Sequence, residues 1–166
     1  MKIPYVDLSY NNKSKKDLIS VFEKVLDKGQ FVGGQEIDLF EKKIAKLCGT
    51  NYAVALNSGT DALTLALHML GVKKGDEVIT PPNSFIASTA VIIHLGAKPV
   101  FVDVLEDQNM DPKKIQDAIT KKTKAIMPVH LYGRMSQMDK IMSVAKKNSI
   151  PVVEDAAQSV GSKYNN

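Results

Sequence analysis

Residues 53–70 read Ala53-Val54-Ala55-Leu56-Asn57-Ser58-Gly59-Thr60-Asp61-Ala62-Leu63-Thr64-Leu65-Ala66-Leu67-His68-Met69-Leu70. A short apolar run, Ala53 to Leu56, gives way to a polar glycine turn and then to a helical stretch, Ala62 to Leu70. Strand, turn and helix in that order open a β-α-β unit. Four more apolar runs follow, Glu77 to Thr80, Pro99 to Val102, Ala125 to Val129 and Pro151 to Glu154, each separated from the next by room for a crossover helix. Runs this short and largely without alternation belong to strands buried on both faces. The pattern therefore predicts an α/β fold, a mostly parallel sheet with right-handed crossovers and helices on both faces. Asp111-Pro112 marks one helix start as an N-cap followed by proline at the first helical position. Ser136 with Asp139 marks another, on a helix ending at Lys146 and Lys147, cations suited to a helix C-terminus.

Upstream of this region the period changes. From Ser14, with Asp17 three residues on as an imperfect capping box, Leu18, Phe22 and Val25 fall at i, i+4 and i+7, and Gly29 stops the helix. A second helix places Ile37, Phe40, Ile44 and Leu47 on one face and ends at Cys48-Gly49. The three glycines within Gly29–Gly34 make the connection a loop. Residues 1–50 thus read as an N-terminal helical segment and residues 51–166 as the α/β region, with no internal repeat or low-complexity tract.

At 166 residues the chain is long enough for one domain with a real core. Its 44% hydrophobic and 24% charged residues are those of a globular protein. The net charge is +4, yet all of the 22 basic residues except Arg134 are lysines, scattered singly or in pairs. No stripe can track phosphates, which argues against a nucleic-acid partner. The single Cys48 excludes an internal disulfide and a cysteine-rich zinc site and suits a reducing compartment. No run of about 18 apolar residues occurs, and Met1-Lys2 leads into a proline and a strand-like stretch rather than a signal peptide. No membrane association is expected, and the location expected is cytoplasmic.

In an open parallel sheet the ligand crevice lies beyond the carboxyl ends of the strands, so the residues just after each run carry the chemistry. Ser58-Gly59-Thr60-Asp61 opens a helix whose free amides and dipole favour an anion, although it matches neither the dinucleotide G-x-G-x-x-G nor the Walker loop. The same residues also read as an ordinary N-cap. Phe85, on the loop after the second run, suits stacking on a flat ligand or a place in the core. His130, at the end of the fourth run, reads as a hydrogen-bonded structural residue, and His68 and His94, inside helices, are weaker candidates. Glu154-Asp155 follows a buried strand, where carboxylates need a cation or donors. A metal, the protonated ring nitrogen of a cofactor and a helix cap are the three readings.

Six motifs together carry a resemblance: Ser58-Gly59-Thr60-Asp61-Ala62-Leu63, Gly75-Asp76-Glu77-Val78-Ile79, Phe85-Ile86-Ala87, Gly96 to Asp103, Val129-His130-Leu131-Tyr132-Gly133 and Glu154-Asp155-Ala156-Ala157-Gln158. In this order they resemble the sugar aminotransferases of the DegT/DnrJ/StrS type, and the likeness runs from Pro4-Tyr5-Val6-Asp7-Leu8 to Gly161. The resemblance implies a fold-type I architecture and pyridoxal 5′-phosphate (PLP) as cofactor. It also implies transfer of an amino group, usually from glutamate, to a keto group of a nucleotide-linked sugar, as in cell-surface polysaccharide biosynthesis. By matching motif, Gly59, Thr60 and Asp61 would hold the cofactor phosphate and Phe85 would stack on its ring. Asp155 would pair with the pyridinium nitrogen and Gln158 would bond near the ring hydroxyl.

Family members carry the Schiff-base lysine a few tens of residues beyond the Glu-Asp-Ala-Ala-Gln motif. Lys163 lies too close to Asp155 to be that residue, so no catalytic lysine is assigned in this chain. The expectation is an incomplete PLP-binding large domain over 51–166, without its C-terminal part or the small domain. The chain alone is then expected to be inactive, and a homo-oligomer is expected because relatives build their sites across a dimer interface. The alternative is a catalytically dead homologue that binds a phosphate-bearing ligand or a partner subunit.

Overall fold

The computed structural model describes residue 3 and residues 14–165. The Met1-Lys2 start and the Pro4–Leu8 motif lie outside the described residues. The chain divides into two compact units, Met1–Ala55 and Leu56–Asn166.

Among its described residues the first unit holds two helices, α1 (Lys15–Lys28) and α2 (Gln35–Cys48). Both stop where the sequence places glycine: Gly29 and Gly49 adopt φ of 63° and 66°, a left-handed turn that returns their amides to carbonyls of the last helical turn. Ser14 is the N-cap of α1, but its side chain makes no capping bond. Lys28 reaches across the loop to Glu36 at 2.7 Å.

The second unit is built on a three-stranded parallel sheet of order β2-β1-β3, with β1 at Glu77–Thr80, β2 at Lys98–Phe101 and β3 at Thr123–Ile126. Alternate residues of the strands supply two cores. Val78 and Ala125 join Leu63, Leu67, Val91 and Ile92 under α3 (Gly59–Met69) and α4 (Ile86–His94). Ile79 and Ile126 join Ile115, Met138, Ile141 and Ala145 under α5 (Pro112–Ala118) and α6 (Met138–Lys147) on the opposite face. Burying one such side chain is worth about 1.5–3 kcal/mol. The expected architecture, a parallel sheet between two helical layers, is what forms.

Three expected elements differ. Ala53–Leu56 is not a strand: Val54 is 76% exposed, and the Ala55 amide donates to the Glu41 carboxylate at 2.7 Å instead of to a neighbouring strand. The fourth run is strand only over β3, because Pro128 has no amide for the ladder. Pro151–Glu154 follows it with isolated parallel bridges, Ile126 to Val152 and Val129 to Asp155, rather than a continuous strand. Asp111 and Pro112 cap α5 as expected, the Asp111 carboxylate accepting from the Lys113 amide at 2.9 Å. Ser136 does not cap α6, whose N-cap is Gln137; it is buried against His130.

Candidate active site

The carboxyl edge of the sheet carries a cavity of about 240 Å³ lined by Gly59, Thr60, Leu63, Phe85, Ala87, Val129, Asp155, Ala157 and Gln158. Five of the six residues singled out from sequence meet there. Each arrives by a different route. Gly59 and Thr60 are the first residues of α3, Phe85 is the N-cap of α4, Asp155 is the last bridged residue of the segment beside β3, and Gln158 follows it.

At the α3 end, Ser58 caps the helix: its hydroxyl oxygen accepts from the Asp61 amide at 3.1 Å, and its proton goes to the Asp61 carboxylate at 2.9 Å. Asp61 is therefore occupied in a reciprocal cap and lines a neighbouring hollow with Thr64, Ala90 and His94, not the cavity. Among the described residues no group receives the amides of Gly59 and Thr60. A Cβ placed on Gly59 would meet no protein atom within 4 Å, and Gly59 shows no positive φ. The fold alone does not require glycine there.

Phe85 is 71% exposed, which removes the core reading. Asp155 is only 7% exposed, and both its oxygens are engaged. The Ser88 hydroxyl donates to Oδ2 at 2.7 Å and the Ala157 amide to Oδ1 at 3.3 Å. Asp155 thus caps a turn rather than a helix. Among the described residues no group of three or more His, Cys, Asp or Glu side chains is placed to hold a metal. Gln158 accepts from the Tyr132 amide at 2.7 Å through Oε1. That bond holds Tyr132 in a left-handed backbone, φ 56°, and leaves the Gln158 amino group free to donate.

The sequence of residues 12–166 matches the DegT/DnrJ/EryC1/StrS aminotransferase family. The chain belongs to that family. It is 43% identical over 165 residues to dTDP-3-amino-3,6-dideoxy-alpha-D-galactopyranose transaminase of Aneurinibacillus thermoaerophilus, covering 98% of this chain and 46% of that protein. Identity is also 43% to UDP-2-acetamido-2-deoxy-3-oxo-D-glucuronate aminotransferase of Pseudomonas aeruginosa, with the same two coverages. The crystal structure of NtdA from Bacillus subtilis with bound cofactor PMP superimposes with a TM-score of 0.92 at 38% identity, over 96% of this chain and 38% of that one. The chain spans less than half the length of these relatives.

Behind the cavity of this DegT/DnrJ/EryC1/StrS chain lies a buried polar network. His130, 1% exposed, accepts the Ser136 amide on Nδ1 at 3.2 Å, so its proton sits on Nε2 and is donated to Glu154 at 2.7 Å. This bond holds the Glu154 carboxyl below the ordinary carboxylate range, against an opposing push from partial burial. The His130 amide in turn donates to the Asp155 carbonyl at 3.1 Å. Asn109 clamps the following loop, accepting from the Leu131 amide and donating to the Arg134 carbonyl, each at 3.1 Å. His130 is buried and hydrogen-bonded through both ring nitrogens. Ser88 and Asn109 escaped the sequence reading, since neither stands at a strand end.

Proposed function

We propose that the protein is a PLP-dependent aminotransferase that moves an amino group, from glutamate as donor, to a keto group of a nucleotide-linked sugar. The observation that carries this reading is the meeting of three unlike groups on one cavity wall: unpartnered helix-end amides, an exposed aromatic and a buried carboxylate. A ring bearing a phosphate at one end and a basic nitrogen at the other asks for that set. The dTDP- and UDP-sugar names of the relatives support the substrate class. In this reading α1 and α2 belong to an N-terminal segment ahead of part of a PLP-binding large domain that begins at residue 51, in a cytoplasmic homo-oligomer. No helix among the described residues is long and apolar enough to cross a membrane.

Each residue then has a definite task. The Gly59 and Thr60 amides, with the Thr60 hydroxyl, bind the phosphate at the positive end of α3, and the missing Cβ of Gly59 lets it approach. Phe85 stacks on one face of the ring. Asp155 holds the ring-nitrogen proton, and the free amino group of Gln158 donates toward the ring hydroxyl. When bound, PLP supplies an electron sink for the carbanion of transamination, and a protonated ring nitrogen is what makes it effective.

Among the described residues no lysine lines the cavity. That observation favours a second reading for the 166-residue chain by itself, binding without turnover. Titrating the chain with PLP tests the main reading: a saturable visible band distinct from that of free PLP is expected, and spectra that merely add would refute it.

A further inference from the structure

Ser88 lies in the first turn of α4, on a helix otherwise rich in Ala, Val and Ile, and is 1% exposed. A serine there lowers helix propensity relative to alanine and, when buried, usually bonds back to its own helix. This one does not. Its hydroxyl leaves the helix and donates to Asp155 Oδ2, 67 residues away, at 2.7 Å. A carboxylate only accepts, so the single Ser88 proton is committed, and the Ser88 oxygen is left to accept from the half-buried Ser84 hydroxyl, also at 2.7 Å. The Ser84 hydroxyl also lies 3.0 Å from the Phe85 carbonyl, so its single proton is shared between that oxygen and the Ser88 oxygen.

From this geometry we infer that Ser88 is a positioning residue for the cofactor ring, with Ser84 as its support. The inference rests on the reading of the cavity as a PLP site. Phe85, which offers the stacking face, is the N-cap of the helix that carries Ser88. The Ser88–Asp155 bond therefore ties the stacking residue and the ring-nitrogen partner into one frame, although they lie on segments far apart in the chain. It also holds a nearly buried carboxylate in one rotamer. The Ala157 amide fixes Oδ1 in the same way from the opposite side.

The test is a cycle of variants of the full chain, Ser88→Ala, Asp155→Asn and the double variant, with Ser88→Thr as the conservative replacement. Three readouts separate position from packing: PLP affinity by absorption titration, affinity for a PLP analogue in which the ring nitrogen is replaced by carbon, and the unfolding midpoint without ligand. Ser88→Ala is expected to weaken PLP binding about tenfold, with little effect on the carbon analogue. In the Asp155→Asn background its effect on PLP should nearly vanish. Ser88→Thr, which keeps the hydroxyl, should restore most of the affinity. Equal losses for PLP and the carbon analogue, or full additivity with Asp155→Asn, would overturn the inference and leave the cofactor site standing. A wild-type chain that binds no PLP would overturn both.

Discussion

Replacing Asp155 with asparagine changes the charge at the cavity floor while nearly conserving shape. The side chain is 7% exposed and held by Ser88 and Ala157, so the amide can occupy the same space, with its carbonyl oxygen accepting from one of those donors. What it loses is the ability to hold a protonated ring nitrogen. A hydrogen bond to a charged partner is worth about 1.5–3 kcal/mol, so PLP affinity should fall roughly ten- to hundredfold. The comparison is Phe85→Leu. That change removes an exposed aromatic face whose stacking is worth about 1 kcal/mol, and leucine still covers part of the ring, so a loss of a few fold is expected. Absorption titration of both variants against wild type reads the difference. Equal losses would show that Asp155 serves only its turn and that the charge argument fails.

Gly59→Ala separates folding from binding: a Cβ meets no protein atom and alanine is the better helix former, so the unfolding midpoint should hold or rise while PLP affinity falls at least tenfold. Unchanged affinity would remove Gly59 from the cradle. The Glu154 carboxyl, depressed by its bond from His130, contributes stability that is complete above the ordinary value of 4.5 and lost as pH falls through its lower folded value. Denaturation of wild type and Glu154→Gln between pH 6 and about pH 3 should therefore show an advantage of the wild type that shrinks on the acid side, modest because the Glu154 side chain is 46% exposed. Incubation of the 166-residue chain with PLP, followed by borohydride reduction and peptide mass spectrometry, should yield only scattered substoichiometric lysine labelling, since no lysine among the described residues lines the cavity. Stoichiometric labelling of one lysine would contradict that placement.

The alternation of short apolar runs with helical segments was readable in the chain because local periodicity dictates which residues face a core. The rule that ligands sit beyond strand ends points to the Ser58-Gly59-Thr60-Asp61 turn, Phe85 and Asp155, and the family resemblance adds Gln158. Cap chemistry was equally local: Asp111-Pro112 and the stops at Gly29 and Gly49 depend on neighbours a few residues away. Where one residue can serve two roles, the local pattern does not choose between them: Ser136 joins the His130 network instead of capping α6, and Asp61 closes a reciprocal cap with Ser58. Val54 carries strand character without a strand beside it, since a ladder needs a neighbour as well as a pattern. The chain by itself determined the layers, the order of the elements and the types of group at the sheet edge. The tertiary structure alone decided that Ser88 speaks to Asp155, because a hydroxyl's role is set by the acceptor that packing brings to it, and packing joins segments that periodicity treats as independent.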